Sequence, residues 1–233
     1  MVWIDKINKI NRKTDVNAGN PARTGDTGAA GSPARMGDKT HKLTVTALLS
    51  AVAFVLMFIE FPIPALIPSF VKMDLSDLPE LLAAFGLGPL YGVAVAFLKN
   101  LLHILFKGTS SAFVGELCNF TLGGVFALTA GGIYRLKKTR SGALLGSVAG
   151  ALCMALISIP FNYFIVYPAY EVFYHLPMSV IISMYQAILP AADNLIKCLI
   201  IFNMPFTFVK GLFCVILCFL VYKPLSPILH NKI

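Results

Sequence analysis

Five long stretches with almost no charged residues constrain the fold of this chain more than any other feature. They cover residues 43–59, 81–98, 111–134, 141–170 and 198–222, and Glu116 and Lys210 are the charged residues within them. Each approaches or exceeds the roughly 17 to 25 apolar residues that cross about 30 Å of hydrocarbon as a helix. Charged residues make up 13% of the chain, against about 25% in an ordinary soluble domain. The sequence therefore predicts an all-α integral membrane protein.

The second stretch should break at its centre, where Gly86, Gly88 and Pro89 lie close together, because proline removes a backbone donor and disrupts a helix. A short helix before the break and a longer one after it bring the prediction to six transmembrane helices. Residues 178–189 are apolar but short and are flanked by prolines, so we expect an external helix on the membrane surface there. The predicted spans are 43–61, 78–87, 90–107, 112–136, 142–168 and 205–223.

Basic residues set the predicted orientation in the membrane. They cluster before the first span, between the fourth and fifth spans, and after the last span. With six helices all three clusters fall on one side, which the positive-inside rule makes cytoplasmic. We therefore expect cytoplasmic N- and C-termini. This topology also accounts for the net charge of +8, so no nucleic-acid partner is predicted.

Composition divides the chain into three parts. Residues 1–42 are polar and basic, with little apolar pattern, and are predicted to be a disordered cytoplasmic tail. Residues 43–226 form the predicted membrane domain, and residues 227–233 form a short cytoplasmic C-terminal tail. The five cysteines lie in apolar runs without a CxxC pair, which indicates packing residues and no metal site.

The loop between the first two spans is dense in prolines and charges. Its prolines at 62, 64 and 68 restrict the backbone, and they precede the charged residues Lys72, Asp74, Asp77 and Glu80. Such a loop could be a solvated connection between helices. It could equally be a lid over a ligand, and the composition of the loop leaves both interpretations open. For Asp77, followed by Pro79, we expect a capping role at the start of the next helix.

Polar residues inside the spans lie in the external half of the predicted bundle. A charge or an amide in hydrocarbon is costly and normally faces a cavity or a partner. The polar groups could satisfy one another, with Glu116 paired to Lys210 or Lys99. Polar positions from three helices at one level favour a binding pocket instead, and amides and hydroxyls without arginine suit a flat, mostly neutral heterocycle with hydroxyls. The positions are Glu116 and Asn119 in the fourth span, Asn162 in the fifth, and Asn203, Thr207 and Lys210 in the sixth.

Motifs for enzymatic chemistry are missing from the sequence. It contains no GxxxxGK[ST] phosphate loop, no HExxH zinc motif and no nucleophile elbow. We therefore predict that the chain is not an enzyme and that energy for transport comes from an ion gradient or from a partner. A stand-alone ion-coupled carrier, with Glu116 and Lys210 as a titrating pair, is one alternative. A membrane transferase using Asp74 and Asp77 would need a metal and a further carboxylate motif.

Ala47 and Ala51 form a small-xxx-small step at the cytoplasmic end of the first span. Small residues four positions apart let helices approach closely in lipid. The step could serve packing within the bundle or docking to another membrane subunit.

Several motifs, in the same order, resemble one family over residues 43–226. They are similar to motifs of the riboflavin-specific substrate-binding subunits (S components, RibU type) of energy-coupling factor (ECF) transporters. The resemblance implies a six-helix subunit in a bacterial cell membrane that captures riboflavin outside the cell and delivers it inward in an ATP-driven complex. The motifs are FPIPALIPSFVKMDLSDLPELLAAFGLGPLYG at 61–92, LKNLLH at 98–103, GELCNF at 115–120, FNYFIVYPAY at 161–170 and PFTFVKG at 205–211.

The resemblance also implies partners and a gate. The partners are a transmembrane coupling subunit, which Ala47 and Ala51 would contact, and two cytosolic ATPase subunits. The loop after the first helix would be the gate. Riboflavin would be the transported ligand and no cofactor is implied, although an S component for another flavin or vitamin is an alternative.

Ligand contacts follow from the resemblance position by position. The ring faces would be covered by Leu66, Phe70 and Tyr163. Relatives often have Asn at the position of Thr207, and Asn203 could compensate for that change. The implied flavin-binding residues are Lys72, Asp74, Glu116, Asn119, Asn162, Thr207 and Lys210.

Overall fold

The computed structural model describes residues 33–64, 67–68, 71–109 and 111–229. The chain divides into compact units at Met1–Met36 and Gly37–Ile233, and the site lies in the second. Most of the predicted tail, residues 1–32, lies outside the described residues. From Pro33 the chain is helical, so the first helix begins earlier than position 43. The predicted C-terminal tail is helical as far as Leu229.

Helices dominate the described part of the chain, and one short hairpin interrupts them. In the hairpin, strands β1 and β2 are antiparallel, with Phe61 opposite Met73 and Pro62 opposite Lys72. The order is α1 (Pro33–Phe58), β1 (Phe61–Pro62), β2 (Lys72–Met73), α2 (Asp77–Gly86), α3 (Pro89–Lys107), α4 (Val114–Leu136), α5 (Arg140–Phe161), α6 (Tyr167–Tyr174), α7 (Met178–Gln186), α8 (Leu195–Cys198) and α9 (Met204–Leu229).

Five helical segments of the described residues are long and apolar enough to cross a membrane. The fifth predicted span continues to Tyr174 and the last begins at Leu195, so both are longer than predicted. Helix α2 has ten residues, which is too short for a crossing of its own, and for this reason the count of six is not reproduced. Helix α7 has nine residues, in line with a helix that does not cross. The five segments are Lys39–Phe58, Pro89–Lys107, Val114–Leu136, Arg140–Tyr174 and Leu195–Tyr222.

The predicted break between the second and third helices is confirmed. Helix α2 ends at Gly86, and α3 begins at Pro89. Between them Gly88 has φ of 124°, a conformation that strains any residue with a Cβ atom. Pro89 then occupies the first turn of α3, where its missing N–H costs nothing. The short α2 can therefore pack beside α3 in the bundle.

Two π-helical segments extend the long helices. Asn162–Val166 joins α5 to α6, and Leu199–Asn203 joins α8 to α9. Prolines at 160, 168 and 205 lie close to them, and π turns accommodate the carbonyl groups that proline leaves without a donor. These irregular turns carry Asn162 and Asn203, two of the polar residues that the sequence marked.

The buried apolar residues form two clusters. The first lies among α1 to α5 and α9 and includes Leu81, Val95, Phe126 and Met154. The second involves α6 to α8, the π segment before α9, and the fully buried Ile67 from the loop after α1. The loop is therefore anchored by an apolar side chain at the point where it passes α6 and α7.

Candidate ligand-binding site

A cavity of about 290 Å³ lies between the loop after α1 and the polar ends of the long helices. Its volume is near the lower end of the roughly 300–1,000 Å³ typical of small-molecule sites. The structure brings together all seven residues that the resemblance implied for ligand binding. They are Lys72, Asp74, Glu116, Asn119, Asn162, Thr207 and Lys210.

Three of these residues keep hydrogen-bonding capacity for a ligand. Asn119 makes a weak contact of 3.9 Å from Nδ2 to the sulfur of Met57. Asn162 donates from Nδ2 to the Ser158 carbonyl at 2.7 Å, which leaves its own side-chain oxygen available. The Thr207 hydroxyl has no side-chain hydrogen bond to another described residue. The cavity therefore presents two amides and a hydroxyl with open positions.

Lys210 lies at the floor of the cavity between two carboxylates. Its Nζ is 3.0 Å from Oδ2 of Asp74 and 3.1 Å from Oδ2 of Asp77. The alternative in which Glu116 pairs with Lys210 or Lys99, over which the sequence favoured a binding pocket, is therefore not realised. Spacing along one helix does not determine which residue of another helix lies opposite.

Glu116 instead belongs to a polar cluster at the start of α4. Its Oε2 accepts hydrogen bonds from the hydroxyls of Ser111 and Thr109 at 2.9 and 3.1 Å. Oε1 lies 3.4 Å from Nδ1 of His103. A carboxylate in the first turn also interacts favourably with the helix dipole. The geometry contains no Glu116–Lys210 pair of the kind that the carrier alternative requires.

Asp74 connects the loop to the helical bundle. Its Oδ1 accepts hydrogen bonds from the backbone N–H and the hydroxyl of Ser76, at 2.8 and 2.5 Å. Burial alone would raise the pKa of Asp74, but the charges of Lys210 and Lys99 and the Ser76 hydrogen bond hold it well below its usual range. Asp74 is therefore ionised at neutral pH, and it binds Lys210 as a carboxylate.

Lys72 lies at the rim of the cavity and contacts Glu60. Its Nζ is 2.7 Å from Oε1 of Glu60, and Nζ of Lys107 is 3.2 Å from the same oxygen. Partial burial would raise the pKa of Glu60, but hydrogen bonds and attraction from both lysines lower it. These contacts, which we call the rim ion pairs, join the loop to the ends of α1 and α3.

Sequence reasoning missed a buried charge network beside the cavity. Lys99 Nζ lies 2.9 Å from Oδ1 of Asp77, 2.6 Å from Oε1 of Glu80 and 2.6 Å from the Ser76 hydroxyl. Asp77 does not cap α2 as expected, because Ser76 is the N-cap residue and Asp77 lies inside the first turn. The signal was present in the sequence: carboxylates three residues apart on an apolar helix, and a lysine within the next span.

The aromatic lining also differs from expectation. Tyr163 packs against the second apolar cluster and does not line the cavity. Among the described residues, the aromatic side chains at the cavity are Tyr167, Tyr170 and Phe206. The other two predicted ring contacts, Leu66 and Phe70, lie outside the described residues.

The side-chain amide of Asn203 already makes hydrogen bonds to other side chains. Its Oδ1 accepts a hydrogen bond from the Tyr185 hydroxyl at 2.6 Å, and its Nδ2 donates to the Tyr167 hydroxyl at 3.2 Å. The Asn203 amide therefore links α7 to the cavity wall. Half of its hydrogen-bonding capacity is used before any ligand binds. This reduces its ability to replace an amide at position 207.

Ala47 and Ala51 lie away from the cavity, on an exposed face of α1. Their neighbours on this face, Leu48, Val52 and Val55, are also exposed. Such a face can be covered by lipid or by another membrane protein, and its small residues permit close helix contact.

The chain matches a family model described as "ECF transporter, substrate-specific component" over residues 41–222. It is 36% identical over 193 residues to a protein named "Riboflavin transporter RibU" from Staphylococcus aureus, covering 83% of this chain and 94% of that protein. It is 31% identical over 196 residues to "Riboflavin transporter FmnP" of Bacillus subtilis, covering 83% of this chain and 96% of the relative.

A solved structure has a similar fold. It is described as "Structure and mechanism of the S component of a bacterial ECF transporter" and aligns with a TM-score of 0.63 at 34% sequence identity. The alignment covers 82% of this chain and 98% of the other.

Proposed function

Because the chain belongs to the family of substrate-specific components of ECF transporters, we propose that it captures riboflavin from outside the cell and delivers it inward as part of an ATP-driven complex. Relatives at 31–36% identity carry the name riboflavin transporter. The observation that carries the proposal is a cavity that collects amide, hydroxyl and lysine side chains from the loop and three long helices.

The chemistry of the cavity suits riboflavin. The pyrimidine edge of isoalloxazine alternates acceptors with an N–H donor, and an asparagine side chain offers both complements. Asn119 and Asn162 supply two such amides, and Lys210 supplies a donor for a carbonyl oxygen. Tyr170 and Phe206 offer apolar surface for the rings. We accordingly assign the seven residues predicted from the sequence to ligand binding.

Membership of the family confirms that the chain is a transport component and not an enzyme. In such a component the bound small molecule is the substrate that is carried, so no cofactor is expected. Several apolar helices of membrane-crossing length agree with a multi-pass membrane protein.

Our proposal includes a finer topology and the partners. We count α2 as a sixth, short membrane-embedded segment, because its side chains are buried against the long helices. Both termini are cytoplasmic, with residues 1–42 as a tail, 43–226 as the membrane domain and 227–233 as the C-terminal end. A transmembrane coupling subunit contacts the Ala47 and Ala51 face, and two cytosolic ATPase subunits supply the energy.

Flavin binding by the purified chain tests the proposal. We expect detergent-purified protein to quench riboflavin fluorescence with a dissociation constant below about 1 μM, and to bind thiamine at least about a hundredfold more weakly. Protein from a flavin-containing host should be yellow and release riboflavin on denaturation. A colourless preparation that also fails to quench added riboflavin would refute the proposal. Tighter binding of flavin mononucleotide or thiamine would reassign the substrate.

A further inference from the structure

A chain of alternating charges runs from the floor of the cavity into the bundle. Starting at the loop, the order is Asp74, Lys210, Asp77, Lys99 and Glu80, and neighbours are separated by 2.6 to 3.1 Å between charged atoms. The first three line the cavity, whereas Lys99 and Glu80 do not. The charge that faces a ligand at Lys210 is therefore connected to charges that a ligand cannot touch.

The inner end of this chain is sealed from solvent. Lys99 and Glu80 are both 0% exposed. The helix facing them is shaped to admit the Glu80 carboxylate, because a Cβ atom at Gly123 would lie 2.4 Å from Oε2 of Glu80. Buried ions contribute little to stability after their loss of hydration, so stability alone does not account for this pair.

Burial raises the pKa of Glu80 to about 8 against the attraction of Lys99, so above that pH the network contains three carboxylates and two lysines. Lys210 shares Asp77 with Lys99, and Lys99 is in turn shared with Glu80. At short range in a poorly solvated site, each additional charge appreciably changes the electrostatic attraction between the neighbouring charges. Removing the Glu80 carboxylate leaves two carboxylates for two lysines. This weakens the attraction of Asp74 and Asp77 for Lys210. Removing Glu80 and Lys99 together leaves two carboxylates for Lys210 alone and strengthens their attraction for the Lys210 ammonium.

We propose that Glu80 and Lys99 are positioning residues that set how firmly Asp74 and Asp77 hold the Lys210 ammonium, and so how readily Lys210 binds the ligand. The inference rests on the proposed riboflavin site, because it takes Lys210 as a donor to the bound flavin. The proposal predicts that Glu80→Gln alone and Glu80→Gln combined with Lys99→Met alter the riboflavin affinity in opposite directions. Loss of packing does not produce opposite effects.

Riboflavin titrations of the detergent-purified full chain at about pH 9, where Glu80 is ionised, test this ordering. Glu80→Gln should lower the dissociation constant about threefold relative to the wild type. Glu80→Gln combined with Lys99→Met should raise it about tenfold, while the pair substitution avoids leaving a lone buried charge. Thermal unfolding of the ligand-free proteins serves as the control for folding.

A cycle in the Lys210→Met background separates positioning from general structural effects. Without the Lys210 ammonium, the Glu80 and Lys99 changes should alter the dissociation constant by less than about twofold. Equal effects in both backgrounds would overturn the proposal, as would a Glu80→Gln protein that binds no more tightly than the wild type. This last comparison suffices if the double variant does not fold. If the wild type binds no riboflavin, the proposed function fails instead, before the series is compared.

Discussion

At the residue scale, Asn162 has the clearest division between a structural contact and a proposed ligand contact. One side of its amide donates to the Ser158 carbonyl, and the other faces the cavity. Asn162→Ala should raise the riboflavin dissociation constant about tenfold, equivalent to about 1.4 kcal/mol, because a typical hydrogen bond contributes about 0.5–1.5 kcal/mol. Fluorescence quenching measures the constant directly.

Ser183→Ala is the matched control for this prediction. Ser183 also bonds a carbonyl within its own helix, but it is exposed and does not line the cavity. Its removal should leave the dissociation constant unchanged. Similar weakening in both variants would indicate general damage to the helices and would count against a ligand contact at Asn162.

At the element scale, the hairpin is held at the cavity rim by the rim ion pairs from Glu60 to Lys72 and Lys107. These side chains are partly exposed, so each pair contributes at most about 1 kcal/mol and is weakened by salt. Glu60→Gln should speed riboflavin dissociation about two- to fivefold by loosening the loop. Stopped-flow quenching should also show that salt accelerates dissociation from the wild type more than from the variant.

The exposed ion pair between Asp193 and Lys197 provides a control for the rim ion pairs, because it is also a lysine–carboxylate pair but lies away from the cavity lining. It lies at 2.8 Å, and neither residue lines the cavity. Asp193→Asn should leave the dissociation rate and its salt dependence as in the wild type. A Glu60→Gln protein that behaves like Asp193→Asn would show that the rim ion pairs do not hold the loop closed.

Helices and cross-helix contacts differed in how far the sequence predicted them. The long apolar runs and the Gly88–Pro89 break located the helices, because both signals are local. The predicted fifth span already ran through the π turn, but its continuation from 168 to Tyr174 was missed, since a proline such as Pro168 usually marks an end. The partners of Lys210 and Glu116 could not be predicted, because rotation and depth of neighbouring helices decide them. Residue types indicated a polar pocket, whereas its internal pairing required the fold.

At the scale of the whole molecule, capture and delivery of the ligand should be separable. The cavity lies among the loop and the polar helix ends, whereas Ala47 is exposed on the outer face of α1, away from the cavity lining. In the proposed complex, Ala47→Trp would place a large ring on the face that the coupling subunit approaches. We expect an unchanged riboflavin dissociation constant and at least about a tenfold loss of uptake when all subunits are present in vesicles with ATP.

Leu144→Trp is the control for this substitution, because Leu144 is also exposed but lies on α5. A tryptophan facing lipid at that position should alter neither binding nor uptake. If both tryptophan variants lose uptake equally, insertion or folding is the cause. If Ala47→Trp transports normally, the coupling subunit binds another face of the bundle, and the exposed alanine step of α1 serves only contact with lipid. Loss of uptake with intact binding would instead assign α1 to delivery and the loop and polar helix ends to capture.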